Sequence, residues 1–432
     1  MKRILVLLID LAIIYTSILI SYKLLGNTLI DYPRNIEAFY ILMPFIGILY
    51  FILMYVFGLY NSIRRPINDL LYTIFLISIA LTMGIMALCF SIRMVTSAFP
   101  RSVLLLSSIF YFIGLTFWQV FIWTVSKSQV GRKKVVIVGP QAEWLKNKLA
   151  DKYHDSYVIQ TILGENDVYL LDEIAKCEIV FLTAGVTSKG RDKILLYTAQ
   201  QSIGVYFVPE YRDIAIMASA MEQTDDIPTF YISKLGLNFE EKFLKGTVDL
   251  LLGLIGFIVF LPFGLITAIL VKLDGGPIFY FQERLTLNGK IFKVIKFRTM
   301  VPNAEQLSGP VLAGENDPRI TKVGRFIRAV RIDEIPQVLN ILKGDMSIVG
   351  PRPERPFFTD QFEKQIPYYR QRLNVKAGLT GLAQIKGKYN TSFEDKLRYD
   401  LLYISRYSFF QDVLIVLQTI KILFVKESTE GV

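Results

Sequence analysis

Asp333 and Glu334 are adjacent in the stretch VRIDEIPQVLNILKGDMSIVGPRPERP, residues 330–356. Neighbouring carboxylates repel each other, so we expect cationic groups against them. Pro336 is favoured at the first position of a helix and Gly344 is typical of a helix end, so the pair is predicted at a helix N-terminus. There an ionised carboxylate can attack phosphorus, and its neighbour can bind Mg²⁺. A purely structural helix N-cap is the alternative for the pair taken alone.

Three basic segments accompany this acidic pair. In GKIFKVIKFRTM, charged and apolar residues alternate as in a strand, which predicts Lys296 and Arg298 on one face. In DPRITKVGRFIRAVR, Arg325 and Arg328 lie three residues apart, as on a helical stripe. Arg352 lies in the proline-rich turn GPRPERP. Each segment alone is typical of a solvated face, but phosphate with a divalent cation would match both signs of charge.

The elements that must position these residues include membrane segments. Hydrophobic residues make up 52% of the 432 residues, which is too many for a purely soluble protein. Four apolar segments near the N-terminus have about the length that crosses a bilayer. They cover about 4–24, 38–60, 70–92 and 103–126. We therefore predict a four-helix transmembrane unit over 1–126, with no cleaved signal peptide.

Basic residues predict the orientation of this unit. Lys2 and Arg3 precede the first segment, IRRPIND (63–69) joins the second to the third, and KSQVGRKK (127–134) follows the fourth. Both ends of the unit should therefore face the cytoplasm. A net charge of +10 next to membrane segments favours anionic lipid and phosphorylated substrates as partners over nucleic acid. With two cysteines and the single His154, a disulfide framework and a histidine-rich metal site are not expected.

Strand and helix patterns alternate after residue 132, beginning with the predicted strand KVVIVG. This alternation predicts a parallel, doubly wound, Rossmann-like domain over about 132–235. The first strand is followed by Gly139-Pro140-Gln141-Ala142, and the second glycine of a dinucleotide fingerprint is absent. A scaffold or regulatory domain is therefore preferred to a nucleotide-binding one.

A fifth apolar segment lies within residues 243–277. Its length would allow it to span, but Pro262 near its centre favours a break, and basic residues flank both ends. The residues alone leave a proline-kinked span and a re-entrant helix open. A full crossing would place the acidic pair outside the cell, away from cytoplasmic activated substrates.

From about 243 to 425 the sequence resembles a known family, the monotopic bacterial polyprenyl-phosphate phosphoglycosyl transferases. The matching motifs are KFRTM (296–300), NDPRITKVGRFIR (316–328), DEIPQVLNILKGDMSIVGPRPERP (333–356), VKAGLTGLAQI (375–385) and KLRYDLLYI (396–404). The four spans and the middle domain resemble the long-form subgroup. Ile335, Ala377 and Leu382 depart from the usual DELPQ, KPGxTG and WAQ; the last two bear on loop rigidity and sugar preference.

The resemblance implies a role for particular residues. Asp333 matches the aspartate nucleophile that takes a sugar-phosphate and releases a nucleoside monophosphate, and Glu334 matches its Mg²⁺-binding partner. Leu261 and Pro262 match the break of a re-entrant membrane helix. The candidates for phosphate contacts in the basic motifs are Lys296, Arg298, Arg325, Arg328 and Arg352.

The expected architecture is therefore membrane α plus α/β, with a re-entrant helix over 243–272 and a catalytic domain over 273–432. The expected reaction is transfer of a sugar-1-phosphate from a UDP-sugar to undecaprenyl phosphate, with release of UMP through a phospho-aspartate. It would initiate exopolysaccharide, capsule or O-antigen synthesis at the bacterial inner membrane, with the catalytic domain in the cytoplasm. A homodimer could form through the helices or the middle domain. The alternatives are direct transfer without a covalent intermediate, a membrane-anchored nucleotide-sugar epimerase or dehydratase, and a non-catalytic export scaffold.

Overall fold

The computed structural model describes residues 2–29, 31–59, 67–91, 99–153, 156–302, 317–387 and 391–423. It divides into two compact units, Met1–Val208 and Pro209–Val432, each of which is described by itself. His154 and part of the predicted basic connection 63–69 lie outside the described residues.

Long apolar helices open the first unit, as predicted. They are α1 (Lys2–Leu25), α2 (Tyr32–Val56), α3 (Ile67–Ser91) and α4 (Arg101–Val130). Each is long and apolar enough to cross a membrane. Helix α2 begins six residues before the predicted position 38, because the Asp31 side chain accepts a hydrogen bond from the Arg34 amide and Pro33 occupies the first turn.

A buried carboxylate joins three of these helices. Asp10 on α1 accepts hydrogen bonds from the Tyr50 hydroxyl on α2 at 2.8 Å and from the Gln119 amide on α4 at 2.9 Å. All three side chains are buried. Because a polar group inside an apolar bundle is costly unless it is hydrogen-bonded, this contact favours one arrangement of the helices.

An α/β domain with a parallel sheet completes the first unit, in agreement with the predicted alternation. Its strands β1 (Lys133–Val138), β2 (Tyr157–Leu163), β3 (Ile179–Leu182) and β4 (Gly204–Phe207) lie in the order β2-β1-β3-β4. The intervening helices are α5 (Ala142–Tyr153), α6 (Leu170–Ala175) and α7 (Ser188–Gln200). Strand β1 is buried along most of its length, as expected for a central strand covered on both faces.

The second unit begins at Pro209, within the segment that the sequence analysis assigned to the middle domain. Helix α8 (Tyr211–Met217) places Ile214 in the same apolar core as Leu401 and Tyr403, far along the chain. An exposed antiparallel hairpin follows, formed by β5 (Ala220–Thr224) and β6 (Ile227–Tyr231). The predicted domain boundaries themselves stay predictions.

Helix α9 (Phe239–Leu273) contains the fifth apolar segment and is continuous through Leu261 and Pro262, where the sequence predicts a break. A proline inside a helix removes one hydrogen bond, which a helix of 35 residues can lose without ending. Its N-terminus is closed by a reciprocal cap in which Asn238 and Glu241 bond each other's backbone amides at 2.8 Å.

The remaining elements form a compact α/β arrangement beside α9. Strands β7 (Phe279–Leu285) and β8 (Ile291–Phe297) are antiparallel, whereas β9 (Ser347–Val349) and β10 (Gly378–Thr380) are parallel. The α-helices are α10 (Lys322–Ala329), α11 (Val338–Leu342), α12 (Pro356–Gln365), α13 (Leu382–Lys386), α14 (Phe393–Ser405) and α15 (Phe409–Leu423). Short 3₁₀ helices cover Ile332–Gln337 and Tyr369–Asn374.

Candidate active site

The acidic pair lies in the first turn of the 3₁₀ helix Ile332–Gln337, which leads directly into α11. The helical turn therefore begins four residues before Pro336, where the sequence predicts the first position. Pro336 cannot donate the hydrogen bond that a regular helix needs at its position, and the α-helical part starts only after it. Arg331, just before this turn, is left-handed with φ 55°, a conformation that is strained for a side chain of this size.

Glu334 is held by two cations at one oxygen. Its Oε1 lies 2.8 Å from the Lys296 ammonium and 3.2 Å from the Arg352 guanidinium. The Glu334 side chain is only 18% exposed. Although burial works in the opposite direction, the charges of Lys296 and Arg352 lower the pKa of Glu334, so this carboxylate stays ionised. Conversely, the charge of Glu334 raises the pKa of Arg352.

Asp333 has a different environment from its neighbour. Burial raises the pKa of Asp333, and the Glu334 charge adds to this, while Lys296, Arg328 and Arg352 oppose it. Within the part of the chain that the structure describes, no group donates a hydrogen bond to the Asp333 carboxylate. Its oxygens therefore remain available to an electrophile, which is what a nucleophile requires.

Three of the five predicted phosphate-contact residues gather around the pair. Lys296 and Arg352 contact Glu334 directly, and Arg328 is close enough to influence Asp333. The Arg328 guanidinium is oriented by a 2.9 Å hydrogen bond from its Nε to the Thr299 hydroxyl. This arrangement presents fixed positive charge to any anion that approaches Asp333.

Arg298 and Arg325 are placed elsewhere. The Arg298 guanidinium donates to the carbonyls of Pro277 at 2.8 Å, Val271 at 3.0 Å and Met300 at 3.3 Å. It is buried, and these bonds give it a structural role at the end of α9. Arg325 is exposed on α10, one turn before Arg328.

Two residues that the sequence analysis did not select also belong to the site. Arg284 on β7 and Gln337 in the 3₁₀ helix line a narrow cleft together with Lys296, Glu334 and Arg352. Burial lowers the pKa of Arg284, the Glu354 carboxylate opposes this change, and the nearby Arg352 and Arg355 charges add to it. The pairing of β7 with β8 brings Arg284 to the face that carries Lys296, and this pairing across strands is invisible in the local sequence.

The crevice of the parallel sheet in the first unit is closed by its own side chains. A Cβ on Gly139, at the end of β1, would lie 2.3 Å from Thr183 Oγ1 and 2.8 Å from Val186. Both residues are buried after β3, at the point between β1 and β3 where such sheets bind nucleotides. At the N-terminus of α7, the Glu165 carboxylate accepts from the amide and hydroxyl of Thr187 at 2.7 and 2.8 Å. The Glu165 carboxylate therefore takes the place of an anion at the N-terminus of α7.

Comparison with known proteins identifies the family to which this chain belongs. The sequence model described as bacterial sugar transferase matches residues 240–426, which contain the acidic pair and the cleft. The chain is 31% identical over 328 residues to the galactosyl transferase CpsE of Streptococcus agalactiae, covering 67% of this chain and 71% of that protein. The chain belongs to the bacterial sugar transferase family.

Other relatives match over a smaller share of their length. The UDP-N-acetylgalactosamine-undecaprenyl-phosphate N-acetylgalactosaminephosphotransferase of Aeromonas hydrophila is 43% identical over 183 residues, covering 41% of this chain and 43% of that protein. The UDP-glucose:undecaprenyl-phosphate glucose-1-phosphate transferase of Escherichia coli is 33% identical over 288 residues, covering 64% of this chain and 62% of that protein. The match to these two relatives therefore spans less than two thirds of their own length.

Proposed function

We propose that this protein transfers a sugar-1-phosphate from a UDP-sugar to undecaprenyl phosphate and releases UMP. The observation that carries the proposal is the different environment of the two carboxylates in the acidic pair. Glu334 is ionised and held by two cations, while Asp333, among the described residues, has no hydrogen-bond donor and lies beside Arg328, Lys296 and Arg352. The family and the activities named for the relatives support the same reaction.

Asp333 would attack the phosphorus of the UDP-sugar that carries the sugar, forming a phospho-aspartate and releasing UMP. The lipid phosphate would then displace Asp333 and take the sugar-phosphate. Two anionic substrates thus use one site in turn, so they need not approach each other. Arg328, Lys296 and Arg352 would stabilise the negative charge that develops on the transferred group. The names of the relatives differ in the sugar, so the sugar is best found with a panel of donors.

The residues present fit a Mg²⁺ ion. Within the described chain, Asp333 and the second oxygen of Glu334 accept no hydrogen bond from protein, and no group of three or more acidic, histidine or cysteine residues forms a closed cage. Mg²⁺ prefers such a site, with one or two carboxylates completed by phosphate oxygens and water. Glu334 would hold it, and the ion would neutralise charge on the diphosphate. Because Lys296 and Arg352 already lie at Glu334, binding of the ion should be stronger when the diphosphate is present.

We further propose that α9 enters and leaves the same face of the inner membrane, bending near Pro262. Its first half is attached to the catalytic unit through Lys245, whose ammonium lies 2.6 Å from Asp412, and through Asp249, which accepts from the Ile348 amide at 2.9 Å. Its last turn is attached to the same unit, because the Val271 carbonyl accepts from Arg298 at 3.0 Å. None of the residues between Gly253 and Thr267 is buried.

These attachments argue against a simple crossing. The two groups of contacts are themselves connected, because the Asn340 side chain on α11 accepts from the Ile295 amide at 3.0 Å and donates to the Lys293 carbonyl at 2.8 Å. A crossing helix has its ends on opposite sides of a hydrocarbon core about 30 Å thick, where one folded unit cannot bind both. The four N-terminal helices would then cross the membrane with both ends in the cytoplasm.

The test is UMP release by the full-length protein in membranes with a panel of UDP-sugars. We expect continued release only with lipid phosphate and Mg²⁺, whereas donor alone should release at most about one UMP per chain and add a sugar-phosphate mass to Asp333. Asp333→Asn should reduce turnover at least about a thousandfold. Asp360→Asn is the matched control, since Asp360 is exposed and pairs only with Arg370 among the described residues. Unchanged UMP release by Asp333→Asn would refute the proposal.

A further inference from the structure

The main chain of the loop Pro351–Glu354 is held by hydrogen bonds to its carbonyl groups. Prolines 351 and 353 have no amide hydrogen, so the loop has few donors of its own. Each of its four consecutive carbonyls nevertheless accepts a hydrogen bond from a different group elsewhere in the unit. These donors are the Gly378 amide at 2.9 Å, Arg372 Nη2 at 3.0 Å, Arg284 Nη1 at 3.2 Å and the Leu285 amide at 3.0 Å.

Arg372, which bonds the Arg352 carbonyl, is itself rigidly held. Its Nε and Nη2 lie 3.0 and 2.7 Å from one oxygen of Asp400 on α14, and its Nη1 donates to the Tyr369 hydroxyl at 2.9 Å. Arg372 is 4% exposed and Asp400 is 1% exposed. A planar guanidinium fixed at two of its edges has no freedom to turn, so the Nη2 that reaches the loop points in one direction.

Arg352 needs such support from its backbone. Its side chain is 48% exposed, and it meets Glu334 through a single contact at 3.2 Å. An exposed side chain with one ion pair is weakly restrained by that pair. The position of the Arg352 guanidinium therefore depends on the position of the Arg352 backbone in the loop.

We propose that Arg372, oriented by Asp400, is a positioning residue that sets the Arg352 guanidinium against Glu334 for the transfer reaction. The inference rests on the proposed function, because it assigns Arg372 an effect on that reaction through Arg352. Arg372 touches neither Asp333 nor Glu334 among its described contacts, and it reaches the loop through the Arg352 carbonyl and, at 3.9 Å, through the Glu354 carboxylate.

The test is a double-mutant cycle on kcat/KM for UMP release by the full-length protein. Arg372→Lys keeps a positive charge for Asp400, but one ammonium group cannot make the hydrogen bonds of all three guanidinium nitrogens. We expect this change to reduce kcat/KM roughly tenfold to a hundredfold, as small misplacements of a positioned group do. In an Arg352→Ala background the same change should cost less than about twofold, since the group it positions is absent. Arg370→Lys is the control, because Arg370 is on the same 3₁₀ helix but pairs at the surface with Asp360 and Glu363.

Equal losses in the two backgrounds would overturn the inference, because a general structural role lowers both alike. If Arg372→Lys does not fold, Asp400→Asn replaces it, since the amide keeps an acceptor for Arg372 and removes only the charge. Hydrogen exchange of the peptide containing Gly350–Arg355 gives a second readout, which should rise in both variants and stay unchanged in Arg370→Lys. Wild-type protein without UMP release would refute the proposed function, and unaltered loop exchange would still refute the positioning role by itself.

Discussion

Replacement of Arg298 by lysine separates a structural role from a substrate contact. The Arg298 guanidinium donates hydrogen bonds to three backbone carbonyls. One of them, the Val271 carbonyl, would accept from the Gly275 amide in a regular helix, but that amide bonds the Lys272 carbonyl instead. A lysine can satisfy one carbonyl, so two charge-assisted bonds are lost in a buried setting. At about 1.5–3 kcal/mol each, the free energy of unfolding should fall by about 3–6 kcal/mol. For a unit of this size, with about 2–4 °C per kcal/mol, that corresponds to a fall of roughly 6–24 °C in Tm.

The assay must report on the second unit. All three tryptophans (Trp118, Trp123 and Trp144) lie before residue 209, so their fluorescence would follow the other unit. Proteolysis of the heated full-length protein, with quantification of peptides from 273–432 by mass spectrometry, gives the Tm directly. Arg325→Lys is the matched control and should change the free energy of unfolding by less than about 0.5 kcal/mol, because this arginine is exposed. A Tm for Arg298→Lys within about 2 °C of the wild type, together with lost UMP release, would refute the structural role and restore the predicted phosphate contact.

Three other substitutions test the site. Lys296→Met leaves Glu334 with Arg352 as its only described cationic contact and should lower kcat/KM roughly tenfold to a hundredfold. Lys293 is exposed on the same strand, so Lys293→Met is the control and should change kcat/KM less than about twofold. Equal effects of the two changes would contradict the electrostatic role of Lys296. Gly378→Ala would place a Cβ 2.1 Å from the Gly350 amide nitrogen, so we expect a loss of at least about 3 kcal/mol and little folded protein; normal yield and Tm would contradict the packing. Burial raises the pKa of Asp400 to about 6 despite its pairing with Arg372, so this carboxyl is ionised above that pH and takes up a proton below it. The ratio of wild-type to Asp400→Asn kcat/KM should therefore fall towards one on acidification below about pH 6, and a ratio that is constant from about pH 5 to 8 would contradict this.

Helices and strands with a clear local pattern of apolar residues could be predicted from the sequence alone. The apolar helices and the central strand β1 are long, continuous signals. Strand β2 was not predicted, because Tyr157–Leu163 is an edge strand of mixed exposure. Helix α8 was not predicted for a different reason: only tertiary packing against residues near 400 shows which core receives Ile214.

A periodic pattern of charged residues predicts which of them share a face only within one continuous strand or helix. Lys296 and Arg298 would share a face on one continuous strand, but β8 ends at Phe297, and the Arg298 guanidinium bonds three backbone carbonyls instead of the acidic pair. On α10, only eight residues long, Arg328 in the last turn reaches Thr299, while Arg325 stays in solvent. The lengths of these elements are set by long-range contacts that a single sequence does not display.

The charges around the acidic pair are unequal in a way that suits successive anionic substrates. Glu334 compensates only one of the two positive charges of Lys296 and Arg352, whereas Asp400 pairs with Arg372 inside the fold. Arg284 has no carboxylate closer than 3.9 Å among the described residues, and its lowered pKa reflects the repulsion of its cationic neighbours as well as its burial. In the proposed reaction, an incoming diphosphate would relieve that repulsion and would bring the phosphate oxygens that a metal ion at Glu334 lacks. The same surplus of positive charge would then attract the lipid phosphate after UMP has left, so that one site could serve both half-reactions of the proposed mechanism.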